Sequence, residues 1–420
     1  MSAVPTSPSK SPSVSATAAE IIDDVRSRGD AAVRDWSERL DGWSPESFRL
    51  SSEQIERLVA SVPDQVIDDL AFCQAQVRTF AQAQRETLVD LEIETLPGVR
   101  LGHRHIPVAS SGSYVPGGRY PMVASAHMSV LTAKVAGVGR VVACTPALDG
   151  RPPAATIAAM AMAGADEILV LGGVQAIAAM AVGTETLDRV AMLVGPGNAY
   201  VAEAKRQLFG EVGIDLVAGP SEVLVIADDT ADPVVVAADL LGQAEHGPTS
   251  PAVLITTSPA LAAAVEDEVR RQLTVLPTAD IAGAAWRDHG RITVVSDDRE
   301  AVREADELAF EHVEVQTADP GWYLDRLTNY GSLFLGPETT VAFGDKGIGT
   351  NHILPTAGAA RYTGGLWVGK FLKTVTHQRC TADAGRLIGE VCARASRLEH
   401  FEGHARTCDL RVAQPQDATG

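Results

Sequence analysis

Apolar positions recur at helical spacing from Ala16 to about Glu92: Ile21, Ile22 and Val25, then Val33 and Trp36, then Ile55, Leu58 and Val59, then Val66, Leu70 and Phe72. Gly29, Gly42 and Pro63 interrupt them, so this stretch is predicted to be a group of helices. Before it, residues 1–15 are rich in Ser and Pro with little to bury and are expected to be a disordered tail. Past Pro97 the texture changes to short apolar runs, glycine turns and alanine-rich segments, the alternation of a parallel sheet with helical crossovers. Strand, turn and helix units are legible at 141–144 after a helix holding His127 to Val138, at 167–171 before Gly172, Gly173 and a helix from Gln175, and at 191–194 before GPGN and a helix from Asn198. A second block carries strands at 224–227, 253–256, 292–295 and 313–315, with helices near 261–273 and 298–310. The segment 384–409 again reads as helix.

Two adjacent glycine turns, at Gly172-Gly173 and GPGN, sharpen the α/β reading. Each glycine turn would aim backbone N–H groups and a helix N-terminus at the carboxyl edge of the sheet, where ligands collect in open α/β folds. The dinucleotide fingerprint GxGxxG is absent, since GPGNAY ends in Tyr200 where the third glycine would stand. The expected architecture is therefore α/β: two Rossmann-like parallel-sheet domains lacking GxGxxG, with a helical N-terminal region and a helical C-terminal tail.

Charge narrows the partners. Thirty-five Lys plus Arg against 54 Asp plus Glu give a net charge of −19, which repels phosphate backbones and anionic lipid, so neither nucleic acid nor membrane is an expected partner. The five cysteines, Cys73, Cys144, Cys380, Cys392 and Cys408, form no CxxC pair and suggest neither a disulfide framework nor a thiolate zinc site, which fits a reducing cytoplasm. No long uninterrupted apolar span and no signal-peptide pattern is present.

The candidate chemistry begins at 219–246, a glycine turn, a buried strand and a helix predicted over 233–246, with Asp232 as N-cap, Pro233 in the first turn and Gly247 as stop. Asp239, Gln243 and His246 are spaced i, i+4, i+7 and share one helix face. By spacing alone that stripe is also the pattern of a wet helix end. Glu311 and His312 stand side by side where a helix gives way to a strand; they are either two proton acceptors in one pocket or a surface dipeptide. The run 344–373 packs glycines among Asp345, Lys346, Asn351, His352, Arg361, Lys370 and Lys373, a composition more typical of a functional loop than of filler.

With these pieces assembled, the chain resembles the histidinol dehydrogenase family from about Ala16 to Arg411. The motifs are YVPGGR at 114–119, GGVQAIAA at 172–179, GPGNAYVAEAKR at 195–206, AGPSEVLVIAD at 218–228, ADLLGQAEHG at 238–247, the Glu311-His312 pair, GDKGIGTNHILPT at 344–356 and EHFEGHA at 399–405. The resemblance implies a zinc- and NAD-dependent dehydrogenase taking a primary alcohol through a bound aldehyde to a carboxylate. It implies one zinc per subunit held by Gln243, His246, Asp345 and His404, a ligand set that suits zinc. It implies His312 as the base toward the alcohol and Glu311 as the base that activates water, Tyr114, Gln175 and Asn198 as NAD contacts, and Ser221, His352 and Glu399 as substrate contacts beside the metal ligands. Asp239 receives no role.

The resemblance also implies a domain scheme: 16–113 with 222–366 as a first α/β domain, 114–221 as the NAD-side domain, 367–411 as a helical dimerisation segment and 412–420 as a tail. The active unit would be a homodimer whose exchanged C-terminal segments complete each other's sites. Lys346 stands where the histidinol-oxidising enzymes usually have Tyr, and Ala124 where they have a substrate-side Ser. Together with RYTGGLWVGKFLKT and GDKGIGTNH, these resemble the sulfopropanediol dehydrogenase branch, whose substrate carries a sulfonate. The expected substrate is thus an anionic alcohol such as 2,3-dihydroxypropane-1-sulfonate. L-Histidinol is the alternative, and a catalytically dead nucleotide-binding homologue the remote one.

Overall fold

A computed structural model describes residues 13–117 and 121–413. The first twelve residues of the expected tail, most of the 412–420 tail, and Gly118, Arg119 and Tyr120 of the YVPGGR region lie outside the described residues. Ser13 caps the first helix through its side chain, so residues 13–15 of the expected tail belong to the start of that helix instead. The chain divides at Arg85/Glu86, Pro107/Val108 and Phe371/Leu372 into two compact units.

In the first unit four helices come first: α1 (Val14–Arg28), α2 (Asp30–Asp41), α3 (Ser52–Ala60) and α4 (Asp64–Glu86). Ser51 and Gln54 close α3 with a reciprocal capping box. The first sheet holds β3 (Ser110–Tyr114), β4 (Arg140–Thr145), β5 (Glu167–Val170), β6 (Met192–Val194) and β7 (Gly213–Ile214), all parallel, in the order β5-β4-β3-β6-β7. Its crossovers are α5 (Ala124–Ala126), α6 (Thr132–Ala136), α7 (Ala154–Ala163), α8 (Gly173–Val182) and α9 (Ala199–Leu208). Ile21, Ile22 and Val25 of α1 and Val33 and Trp36 of α2 are buried in one core with α8 and α9, so these N-terminal helices form an outer layer over this sheet.

The second sheet repeats the topology with β8 (Val223–Ala227), β9 (Ala252–Thr256), β10 (Gly290–Val294), β11 (His312–Gln316) and β12 (Ser332–Leu335), parallel throughout in the order β10-β9-β8-β11-β12. The helices are α10 (Pro233–Ala244), α11 (Pro259–Leu273), α12 (Ala279–His289), α13 (Asp298–Leu308), α14 (Pro320–Leu324) and α15 (Val341–Lys346). Val223, Val225 and Ala227 face one core and Leu224 and Ile226 the other, the alternation that buries both faces of a parallel strand.

Two boundaries differ from expectation. Asp232 does cap α10, its side chain accepting the Val234 N–H at 2.8 Å, but the helix ends at Ala244, two residues before His246. The expected helix over His127 to Val138 contains a π-helical turn, His127–Leu131, between α5 and α6, every residue of it buried.

The second unit pairs β1 (Leu91–Leu96) with β2 (Val99–Pro107) and β2 with β13 (Leu372–Cys380), all antiparallel, followed by α16 (Ala382–Leu398) and α17 (Glu402–Val412). The helical C-terminal segment is as expected, broken at Glu399, while β13 occupies residues expected to be loop and helix. Among the described residues no helix is long and apolar enough to cross a membrane.

Candidate active site

The two sheets of the first unit meet the site with opposite edges. From the first sheet comes the carboxyl end of β6, whose turn supplies Pro196 and Gly197; from the second come the amino ends, Ser221 before β8 and Glu311 and His312 at the start of β11. These residues, with Asp345 and His352, line a cavity of about 120 Å³. The carboxyl-edge rule holds for the first sheet and is reversed in the second.

Backbone bonds fix the first sheet's contribution. Gly195 has φ +114°, and a Cβ there would run into the Tyr114 carbonyl, so the turn needs glycine. Beneath it, buried Lys205 donates to the Gly195 carbonyl at 2.9 Å and is ion-paired with buried Asp215, whose Oδ2 accepts the Gly195 N–H at 2.7 Å. Asn198 caps α9 by accepting from the Tyr200 and Val201 N–H groups. Tyr114 Oη accepts the Gly173 N–H at 3.3 Å at the start of α8. Gln175 is fully buried and its amide donates to Asp41 of α2 at 2.9 Å.

His312 is 3% exposed, and its Nδ1 lies 3.1 Å from the Glu222 carbonyl. A carbonyl can only accept, so Nδ1 carries the proton and Nε2 is left as the site's second nitrogen. That Nε2 is buried without a hydrogen-bond partner, 3.7 Å from Asp345 Oδ1. Burial opposes charge on the ring, yet the Glu311 carboxylate at 3.4 Å and Asp345 outweigh it and lift His312 to about 10. Burial likewise opposes charge on Asp345, and the His312 ring 3.7 Å away together with the flanking His352 holds the carboxyl below its usual range.

The donor set fits a zinc ion. His246 Nε2 and Asp345 Oδ2 are 3.9 Å apart, a separation that two bonds of about 2.1 Å to one ion can span. Gln243 is 1% exposed and its Nε2 has no partner; with the amide's O and N interchanged, the unpartnered atom is a carbonyl oxygen that can ligate an ion. Among the described residues no three His, Cys, Asp or Glu side chains converge as a metal cluster, so within this unit the set is Gln243, His246 and Asp345. The expected fourth donor, His404, lies on α17 and Glu399 caps the end of α16, both in the second unit; both are solvent-exposed.

Other expected residues have further duties. His352 lines the cavity but both ring nitrogens are engaged: Nδ1 with the Asp345 carbonyl at 2.8 Å and Nε2 with Ser125 Oγ at 2.9 Å. His127, in the π-turn, reaches the Lys346 carbonyl through Nε2 at 3.1 Å. The segment around 124–131 thereby grips the Asp345–Lys346 backbone. Lys346 itself shares a second cavity of about 250 Å³ with Ala124 and His246, its Nζ 3.9 Å from Asp345 Oδ2.

Sequence reasoning passed over Glu222, Ser125 and His127. Glu222 lies in AGPSEVLVIAD directly before a run of Val, Leu and Ile, and a carboxylate at that position is the signal that could have found it.

Residues 5–412 match the histidinol dehydrogenase family, and the chain belongs to it. It is 63% identical to a histidinol dehydrogenase homolog of Shouchella clausii over 95% of this chain and 94% of that one. It is 47% identical to sulfopropanediol 3-dehydrogenase of Ruegeria pomeroyi, over 97% of this chain and 94% of that one. The crystal structure of histidinol dehydrogenase from Elizabethkingia anophelis matches with a TM-score of 0.91 at 33% identity, covering 97% of this chain and 94% of that one.

Proposed function

We propose that the protein is a zinc- and NAD-dependent dehydrogenase that oxidises a small anionic primary alcohol, of the 2,3-dihydroxypropane-1-sulfonate type, through the aldehyde to the carboxylate. The observation that carries the reading is His312: Nδ1 held by the Glu222 carbonyl, Nε2 buried and unpartnered, Glu311 beside it, and the glycine turn across the same cavity. A base for a hydroxyl proton needs a lone pair in a sheltered cavity at hydrogen-bond reach. His312 Nε2 accepts the alcohol proton, and the Glu311 carboxylate takes a proton from the water that adds to the aldehyde. Two acceptors suit two oxidations. Cation charge on Asp345 would weaken that carboxylate's pull on an imidazolium, moving His312 toward the neutral form that a base requires. Bound zinc, held by Gln243, His246, Asp345 and His404, supplies Lewis-acid polarisation of the substrate oxygen, and NAD supplies the hydride acceptor. The N-termini of α8 and α9, with Tyr114, Gln175 and Asn198 nearby, suit the cofactor's phosphates.

Lys346 supports the substrate class. Its ammonium stands by the cavity it shares with Ala124, where a sulfonate or carboxylate tail gains a charge-assisted partner. We read the active unit as a homodimer with exchanged C-terminal segments. In its support, the second unit exposes Leu387, Val391, Leu398, Phe401 and Leu410, a run of apolar side chains of the kind a partner covers.

A panel of alcohols compared by kcat/KM, with NADH absorbance as readout and zinc measured on the same protein, tests the reading. The sulfonate diol should lead and L-histidinol trail, and Lys346→Tyr should raise KM for the sulfonate about tenfold, near 1.4 kcal/mol. L-Histidinol leading the panel would overturn the substrate assignment. Absence of both zinc and NADH formation would sink the dehydrogenase.

A further inference from the structure

β11 carries His312, Glu314 and Gln316 at alternate positions, so three polar side chains share one face of a strand whose partner β8 shows Val223, Val225 and Ala227 there. His312 serves the cavity. Glu314 and Gln316 are buried, 1% and 2% exposed, and neither lines it. Burying such groups costs free energy unless they are paired, and here their partners outside the strand lie on two helices. Glu314 Oε1 accepts the Val341 N–H, the first of α15, at 2.9 Å. The Gln316 amide donates to Asp239 Oδ2 at 2.7 Å, and at 3.2 Å to Glu314 Oε2. Asp239 Oδ1 accepts from Thr340 Oγ1, the residue before α15, at 3.0 Å. Asp239 sits one turn before Gln243 on α10, and Val341 one turn before Asp345 on α15.

We propose that Asp239 and Glu314, bridged by the Gln316 amide, lock α10 to the start of α15 together with Thr340, and so set the spacing of Gln243 and His246 relative to Asp345. They are positioning residues, since none touches the cavity. Charge agrees with the bridge: burial, and then the charge of Asp239, hold the Glu314 carboxyl well above the usual range, the direction of a carboxyl that keeps a proton to share with its neighbour. Asp239 and Gln243 on α10, with His246 two residues past its end, are then one device, a brace followed by two ligands.

The inference rests on the metal reading of Gln243, His246 and Asp345, and its test reads metal binding directly. Metal-stripped full-length protein is titrated with zinc against a chromophoric chelator, well below each variant's unfolding temperature, for wild type, Asp239→Ala, Glu314→Ala, Glu314→Gln and Thr340→Val. The alanine variants should lose roughly 10- to 100-fold in zinc affinity, as removal of groups that orient ligands does. Glu314→Gln, whose amide can still accept from Val341 and donate toward Asp239 and gives up only the 3.2 Å bond from Gln316, should stay within about threefold of wild type. Thr340→Val keeps the side-chain shape and removes one bond, so it should lose several-fold even if a buried alanine variant fails to fold. Unchanged zinc affinity in Thr340→Val and the folded alanine variants, whatever their unfolding temperatures, would make the network merely structural and overturn the proposal; so would Glu314→Gln as weak as Glu314→Ala. Wild type that binds no zinc would instead bring down the metal reading itself.

Discussion

Glu222 and Glu311 exchange hydrogen bonds across β8 and β11: the Glu222 N–H donates to Glu311 Oε2 at 3.0 Å, and the Glu311 N–H to Glu222 Oε1 at 3.3 Å. Glu222 also accepts the Ala357 N–H at 3.2 Å, and its own carbonyl receives the His312 ring. One residue thus orients both proposed bases. Burial first, and then the nearby Glu311 charge, push the Glu222 carboxyl up to about 7.

That shift has a sign. Between the ordinary carboxylate value, about 4.5, and about 7, the folded protein holds a proton that the unfolded chain releases, so stability declines as pH rises through this window. Glu222→Gln keeps a neutral group that can accept the same N–H bonds and removes the titration. Denaturant unfolding from pH 5 to 8 should therefore show a flatter profile for the variant, with a difference on the order of 1 to 3 kcal/mol accumulated by pH 8. Parallel profiles would mean that Glu222 is ionised throughout.

The adjacent bases should be separable by half-reaction. His312→Asn is expected to slow alcohol oxidation by roughly a hundred- to ten-thousand-fold, the range for a lost general base, with a smaller effect on oxidation of supplied aldehyde. Glu311→Gln should do the reverse. Stopped-flow NADH traces from alcohol and from aldehyde decide it, and equal losses in both would assign the two residues a single shared task.

Most of the first unit was legible because its strands are short apolar runs ended by glycine turns, and β4, β8, β9 and α8 lie within a few residues of where the pattern puts them. β13 was not, because almost every residue of LKTVTHQRC is exposed and no buried face imposes alternation. The π-turn at His127–Leu131 leaves no trace where every position is buried. Neighbours inside a strand point to opposite faces, so Glu311 and His312 share a cavity only because Glu311 stands in the bend before β11. Sequence adjacency suggested that pair, but the brace of Asp239 and Glu314 joins positions 75 apart in number and could not be read from spacing.

Lys205 should matter for cofactor more than for alcohol. Lys205→Met leaves buried Asp215 with its two backbone donors, Gly195 N–H at 2.7 Å and Leu216 N–H at 2.6 Å, but without its counter-charge. Breaking one side of a buried pair costs about 3 kcal/mol at the low end, and the Gly195 turn loses the ammonium that holds its carbonyl. Urea unfolding should register the loss, and KM for NAD should rise several-fold while KM for alcohol stays within a factor of two. A rise confined to the alcohol would detach the turn from the cofactor.

The last prediction concerns the exchanged segments. His404 and Glu399 are exposed on the second unit, while Gln243, His246 and Asp345 belong to the first. If one chain's α17 completes its partner's site, Gln243→Ala and His404→Ala are each inactive alone, yet complement when combined. In a mixed dimer one site receives both defects and the other receives neither, so about half of wild-type activity per dimer should return. Co-expression with two different affinity tags isolates that species, and its activity is compared with each parent homodimer. If each chain instead builds its own site, every site in the mixed dimer carries one defect, and a verified heterodimer with no recovered activity would establish that arrangement.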